Sequence, residues 1–286
     1  YDAVWPASSL WLTVGDTEVG GKESTGVIAE SGSKATAGNV KVSGEYMTGA
    51  SACGDSTVHV KGDVTATGEN SVGIDGETGT IKVGGDVSGI EAVVARGEAD
   101  VTVGGSVSGT LSGIVAVGNA SVSVKGDAET KVGPGVFAQE NATVTVDGNV
   151  TGGTFYEAPE GYEYVYPAII AGAGTTVIVK GTVSTAERNF FAVGINCWDA
   201  GSQKGTLILE KAKAGGEANA IYVNAAPGAS QEDILNSLPD IVVGELVAKN
   251  EDFIWNSYDN GLYGNDPEDE TIGELNENCL LYTSDA

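Results

Sequence analysis

The stretch VHVKGDV, residues 58–64, recurs along the chain with small changes, and this recurrence decides the fold. Its apolar residues alternate with polar ones, a period of two that is typical of a β-strand with one buried face. Seven such heptapeptides are present: VKVSGEY (40–46), VHVKGDV (58–64), IKVGGDV (81–87), VTVGGSV (101–107), VSVKGDA (122–128), VTVDGNV (144–150) and VIVKGTV (177–183). The first six begin 18, 23, 20, 21 and 22 residues apart. A period of this size predicts a solenoid, in which each coil buries its apolar face against its neighbours.

A second apolar segment follows several of the heptapeptides. It reads AVVAR (92–96), GIVAV (113–117), GVFAQ (135–139) and AIIAG (168–172). One alanine in each segment lies six residues before the next heptapeptide, and Ala52 has the same offset; the others are Ala95, Ala116, Ala138 and Ala171. We therefore expect these alanines to stack as a column inside the solenoid.

The fold predicted from these repeats is all-β, a single right-handed parallel β-helix. Helix signals are nearly absent from the repeats, and an antiparallel sandwich would not place the same motif on successive strands. We expect about nine coils of roughly 20–23 residues, with loop insertions in the later coils. The predicted divisions are an N-terminal strand or cap (1–24), the β-helix (25–249), an acidic cap or tail (250–278) and a terminal octapeptide (279–286).

The charge of the chain limits its partners. The formal net charge is −26 and the isoelectric point is near 4.1. A chain this acidic repels nucleic acid and anionic membrane surfaces, so neither is an expected partner. No apolar run approaches the roughly 20 residues that span a bilayer, so we expect no membrane insertion by this chain.

The three cysteines do not form a disulfide framework. Cys53 and Cys197 are separated by about seven coils, well beyond the roughly 7 Å Cα limit of a disulfide, so we predict that they are not bonded to each other. Cys279 begins CLLYTSDA (279–286), which resembles the translation of a transposase mosaic-end adapter from sequencing libraries. That resemblance implies a non-native tail on a metagenomic fragment.

Acids in the turn after the heptapeptide glycine are candidate metal ligands or catalytic groups. Asp63 and Asp86 are expected about one strand spacing apart on adjacent coils, close enough to share Ca²⁺. Carboxylates on such a ladder also occur in polysaccharide-degrading β-helix lyases and hydrolases. The alternative is ordinary turn chemistry, with Lys61, Lys125 and Lys180 as charge partners. The single histidine, His59, takes an outward position and cannot form a triad or zinc site alone.

Aromatic side chains are concentrated in insertions of the later coils. The insertions are GTFYEAPEGYEYVYP (153–167), residues 196–204 and APGASQEDILNSLPD (226–240). Insertions of a solenoid map to loops and often to its binding face, so Tyr162, Tyr164, Tyr166 and Trp198 are candidate binding residues. Exposed Tyr and Trp rings can stack on sugars, and the acidic chain favours neutral or basic glycans. Alternatively, the rings pack over a coil and seal its edge.

The stacked VxVxGxV coils resemble the repeat regions of bacterial surface and secreted proteins, including adhesins and autotransporter passengers. LWLTVGDTEV (10–19) is similar to the segment that precedes such repeats in gut-bacterial surface proteins. The resemblance implies an extracellular or cell-surface location and a role in adhesion or as a stalk, with glycans or a host or cell-surface protein as partners. It assigns no catalytic residue to this chain. The predicted function is therefore non-enzymatic, and the alternative is a polysaccharide-degrading β-helix enzyme.

Overall fold

The period-two alternation of the heptapeptides is realised as short parallel strands. In the computed structural model, the described residues are 10–153, 156–157, 163–164, 166–185, 191–197, 204–215, 220–225, 236–248, 254–256 and 280–282. Side chains are described for 10–153, 166–185, 191–197, 204–215, 220–223 and 236–248.

The strands are numbered in chain order from the N-terminus. Those before the first insertion are β1 (Trp11–Thr13), β2 (Thr17–Lys22), β3 (Thr25–Ala29), β4 (Lys34–Ala37), β5 (Val40–Glu45), β6 (Thr48–Ala52), β7 (Thr57–Val60), β8 (Val64–Thr67), β9 (Val72–Gly76), β10 (Thr80–Val83), β11 (Val87–Ala95), β12 (Asp100–Val103), β13 (Val107–Val117), β14 (Ser121–Val124), β15 (Ala128–Thr130), β16 (Val136–Gln139), β17 (Thr143–Val146) and β18 (Val150–Gly152). Those that follow are β19 (Tyr156–Glu157), β20 (Glu163–Tyr164), β21 (Ile169–Gly172), β22 (Thr176–Thr185), β23 (Val193–Cys197), β24 (Thr206–Lys213), β25 (Ile221–Ala225), β26 (Asp240–Val247), β27 (Ile254–Asn256) and β28 (Leu280–Tyr282).

Each coil contributes strand segments to three parallel ladders. The first ladder contains β1, β4, β7, β10, β12, β14, β17, β22, β24, β26 and β28. The second contains β2, β5, β8, β11, β13, β15, β18, β22, β24 and β26. The third contains β3, β6, β9, β11, β13, β16, β21, β23, β25 and β27. Strands β19 and β20 form a separate antiparallel pair. The predicted parallel β-helix is confirmed.

Stacking of like residues fills the core. Val101 and Val122 are direct partners in the first ladder, and both are fully buried. Burying a side chain of this size contributes about 1.5–3 kcal/mol, before the conformational entropy that folding costs. The predicted alanine column is also confirmed: Ala95, Ala116 and Ala138 are successive partners in the third ladder and have no exposed surface.

The coils are most regular between residues 25 and 185. Seven complete coils lie there, from β3–β4–β5 to β21 with the two halves of β22. The regular coils are therefore slightly fewer than the nine predicted, because insertions interrupt the later ones. Strands β23 to β27 continue the same ladders beyond residue 185.

Both ends of the chain contribute strands to the stack. Strands β1 and β2 pair with β4 and β5, so the predicted N-terminal strand forms part of a coil. Strand β28, within the octapeptide that resembles adapter sequence, pairs with β26. Of the predicted acidic tail, only residues 254–256 lie within the described ranges, as β27. The described residues contain no helix long and apolar enough to cross a bilayer.

The two cysteines of the solenoid lie on different coils. Cys53 directly follows β6 and is half-buried, whereas Cys197 ends β23 and is buried. Both are thiols, so the prediction that they are not bonded to each other is confirmed. Burial of Cys53, together with the negative charge of Glu30, raises the pKa of its thiol.

Candidate functional site

Residues at the turn between the first and second ladders form a hydrogen-bonded column along the solenoid. In the five heptapeptides between residues 58 and 150 this residue follows the glycine, whereas the first heptapeptide (40–46) begins in the second ladder and does not contribute its Glu45. Asp63 Oδ1 accepts a hydrogen bond from the backbone N–H of Asp86 at 2.9 Å. Asp86 Oδ1 in turn accepts one from the backbone N–H of Ser106 at 2.7 Å. The column, which we call the turn ladder, consists of Asp16, Asn39, Asp63, Asp86, Ser106, Asp127 and Asn149. Each side-chain oxygen thus satisfies a backbone donor one coil further on.

The turn ladder explains why glycine occupies the fifth position in the five heptapeptides between residues 58 and 150. A Cβ atom at Gly85 would overlap Asp63 Oδ1, and one at Gly105 would overlap Asp86 Oδ1. Glycine is required because the carboxylate of the preceding coil occupies the space of a side chain. In the Gly-Asp pair of the motif, the glycine therefore leaves space for the carboxylate of the preceding coil, and the aspartate accepts a hydrogen bond from the following coil.

The predicted metal ligands Asp63 and Asp86 both belong to this ladder. Each uses one carboxylate oxygen to accept a backbone hydrogen bond. Ca²⁺ takes six to eight oxygen ligands. Among the described residues, no group of three or more His, Cys, Asp or Glu side chains is placed to hold a metal ion.

Two of the lysines that were predicted to pair with the ladder acids pair with a different acid. Lys125 and Lys180 both pair with Asp147, at 2.8 Å each, rather than with Asp63 or Asp86. The prediction for these two lysines was wrong because Asp147 is the fourth residue of its heptapeptide and projects from the strand beside them. The hydrogen bond from Lys125, together with the adjacent Lys180 ammonium, lowers the pKa of Asp147 from 3.8 to about 2.

An apolar groove lies on the outer face of the third ladder, and it is the candidate functional site. Its floor is formed by Val115, Phe137 and Ile170, which are successive partners in the parallel register. All three are half-buried, although they point away from the core. The cavity has a volume of about 480 Å³, within the usual size range of ligand sites.

The walls of the groove come from the connections between the second and third ladders. Leu111, Val132 and Pro134 line one side, and Leu111 is 46% exposed. The N–H of Val132 donates to the carbonyl of Thr110 at 2.9 Å, so this wall is built by stacked backbone.

Tyr166 lines the groove at the end of the first insertion. The next residue, Pro167, is buried and lies close over Gly194, where a Cβ would meet the proline ring at 3.0 Å. This packing fixes the point at which the chain re-enters the third ladder, and with it the position of Tyr166.

Two polar side chains, Glu91 and Ser112, also line the groove. They are direct partners in the third ladder, next to a shift in register between Gly89 and Glu91. Such irregularities re-aim side chains and often lie beside functional sites. Ser112 is 6% exposed, and within the described part of the chain its Oγ has no hydrogen-bond partner.

Aromatic packing continues further along the same outer column. Gly194 follows Ile170 in register and Tyr222 follows Gly194. The ring of Tyr222 stacks on that of Phe191, with centroids 4.7 Å apart and planes inclined by 17°. Here an aromatic ring outside the core packs against another ring of the same chain.

Of the four predicted binding residues, the structure places one in the groove. Tyr166 lines it, whereas Tyr164 is described only as backbone in β20. Tyr162 and Trp198 lie outside the described residues.

The floor residues were missed because their segments were interpreted as core strands. GIVAV, GVFAQ and AIIAG are continuous apolar runs rather than alternating ones. A continuous run indicates a strand covered on both faces, so its middle residue points out of the core. This signal could have located Val115, Phe137 and Ile170.

The groove can bind an apolar group through van der Waals contacts. It contains few polar atoms that could fix the orientation of such a group. Its described lining holds a single carboxylate, so the paired acids of a glycosidase are not assembled there. No protein-family model matches the chain, and no curated protein or solved structure matches it either.

Proposed function

We propose that the chain is a non-enzymatic, extracellular β-solenoid of a bacterial surface protein, in which the coils form a stalk and the groove is a point of attachment. The observation that carries the proposal is the groove itself. Exposed apolar patches rimmed by polar residues are typical of interaction sites, and this one lies on a chain whose net charge is −26.

The stalk role is supported by how the coils are joined. Three strand ladders link successive coils, and the turn ladder adds a fourth set of hydrogen bonds from Asp16 to Asn149, so bending must break hydrogen bonds on at least one side. Strands stacked at roughly 4.8 Å over the seven regular coils give a rod roughly 30 Å long. Such a rod holds an attached group at a fixed distance from its base.

The acids of the turn ladder support a structural role rather than catalysis. One carboxylate oxygen of Asp86 is engaged with the Ser106 N–H, and the single histidine, His59, is exposed on the first ladder. A glycan-degrading enzyme needs two opposed carboxylates, or a base beside bound metal.

The test measures attachment and turnover on the same protein. Beads coated with the chain are allowed to settle on an epithelial monolayer and are counted after washing, beside beads coated with an unrelated acidic protein. The soluble chain is separately incubated with pectic and other acidic glycans, with and without Ca²⁺. We expect specific retention of the beads and no glycan cleavage. Cleavage that disappears in Asp86→Asn would overturn the proposal, because that substitution keeps the amide oxygen as a hydrogen-bond acceptor.

A further inference from the structure

Glu91 combines a charge with an apolar neighbourhood. It is half-buried, and in the part of the chain that the structure describes its carboxylate has no ion pair or hydrogen bond. By contrast, the outward Asp75 pairs with Arg96 at 2.7 Å. Glu91 shares the groove with Leu111 and Val115, so a group that covers the apolar lining also removes water from this carboxylate.

Covering an unpaired carboxylate is costly unless the ligand supplies a positive charge. The same ligand would also have to accommodate the hydroxyl of Ser112, which is buried without a partner among the described residues. The chain itself is a poor source of cations, with 14 Lys and Arg against 40 Asp and Glu. The positive charge is therefore best supplied by the partner.

The composition of the groove favours a polypeptide over a sugar. A sugar carries hydroxyl groups around its ring, and against Leu111, Val132 and Pro134 these would lose their hydrogen bonds to water. An aliphatic or aromatic side chain loses no such bonds and gains the free energy of burial.

We infer that the groove binds an apolar segment of a polypeptide partner that carries a Lys or Arg beside it, with the cation paired to Glu91. This inference rests on the proposed attachment function and specifies its partner. Phe137 and Ile170 contact the apolar side chains, and Ser112 lies beside the cation as an additional acceptor.

The test uses fluorescein-labelled peptides of sequence KLFLK, SLFLS and ELFLE, with binding to the full chain followed by fluorescence anisotropy. We expect affinity to fall in the order KLFLK, SLFLS, ELFLE. Glu91→Gln should weaken KLFLK by about tenfold or more, because the bound peptide covers the ion pair and removes it from water. Glu98→Gln is the matched control, since it removes the same charge from a nearby exposed turn and should change little.

A second variant tests the apolar contact. Phe137→Ala should weaken all three peptides by about tenfold or more, as for a central contact residue, while its circular dichroism spectrum stays that of the parent. The inference is overturned if ELFLE binds as well as KLFLK, or if Glu91→Gln and Glu98→Gln have equal effects. It is also overturned if neutral oligosaccharides bind in the groove and the peptides do not. Bead retention without peptide binding would remove this inference and leave the attachment function standing.

Discussion

Asp63 Oδ1 accepts a hydrogen bond from the backbone N–H of Asp86, one coil further along the solenoid. Asp86 is bonded in both directions along the solenoid: its N–H donates to the preceding coil, and its Oδ1 accepts a hydrogen bond from the N–H of Ser106 on the following coil. This relationship makes the turn acids part of the fold. It also gives a physical reason for the Gly-Asp pair in the heptapeptide.

The turn ladder predicts opposite outcomes for two substitutions of Asp86. Asp86→Ala leaves the Ser106 N–H without its protein acceptor and should lower the free energy of unfolding by about 1 kcal/mol. Asp86→Asn keeps an acceptor oxygen and removes a charge stacked near Asp63, so its stability should equal or exceed that of the parent. Urea unfolding at low salt measures both. Equal losses in the two variants would contradict the ladder.

The close approach at Gly85 predicts a larger effect for an added methyl group. Gly85→Ala forces the Asp63 carboxylate to move and should cost about 1–3 kcal/mol, the usual range for overpacking. Gly15→Ala is the control, because a Cβ there meets no atom within 4 Å. Thermal unfolding of the two variants side by side should show a fall in melting temperature for Gly85→Ala alone.

The sequence predicts the fold well because the repeat carries the same information in every coil. Alternation in Val58 and Val60 specifies the inward face, and the six-residue offset of Ala116 and Ala138 specifies their column. These are local patterns, and stacking at constant register preserves them.

The groove was harder to predict because it is formed between coils and by irregular connections. Phe137 lies in a continuous apolar run, which lacks the alternation that separates the two faces of the heptapeptide strands. The wall residue Leu111 lies where the chain passes from the second ladder to the third, and no regular spacing in the sequence identifies that position. Tyr166 was predicted from its insertion, without any indication that Ile170 would lie beside it.

The two ion pairs of Asp147 predict a specific dependence of stability on pH. Because the folded-state pKa is lowered to about 2, the stabilisation is present above the ordinary value of 3.8 and is lost as the pH falls through about 2. Asp147→Asn should therefore be less stable than the parent at pH 6, and the difference should shrink between pH 4 and pH 2. Unfolding curves across this range test the prediction. Asp100→Asn, an exposed acid, is the control; a constant difference for Asp147→Asn would argue against the assigned ion pairs.

The environments of the two solenoid cysteines predict different reactivities. The raised pKa of Cys53 reduces its thiolate fraction, so its reaction with a thiol-specific disulfide reagent at pH 8 should be slower than that of a free thiol. Cys197 is buried and should react only on unfolding. In a chain ending at Asn278, a titration in urea should find both thiols. Rapid reaction of both in the native state would contradict these assignments.

The most direct test of the account is whether attachment depends on the groove rather than on the regular coils. Beads are coated with the parent chain, with Phe137→Asp, or with Thr102→Asp, which adds the same charge at an outward position of the first ladder. Retention on an epithelial monolayer is measured for each, after circular dichroism confirms that all three are folded. We predict that Phe137→Asp abolishes retention and that Thr102→Asp retains it at the parental level. Equal retention of all three would contradict the groove as the point of attachment.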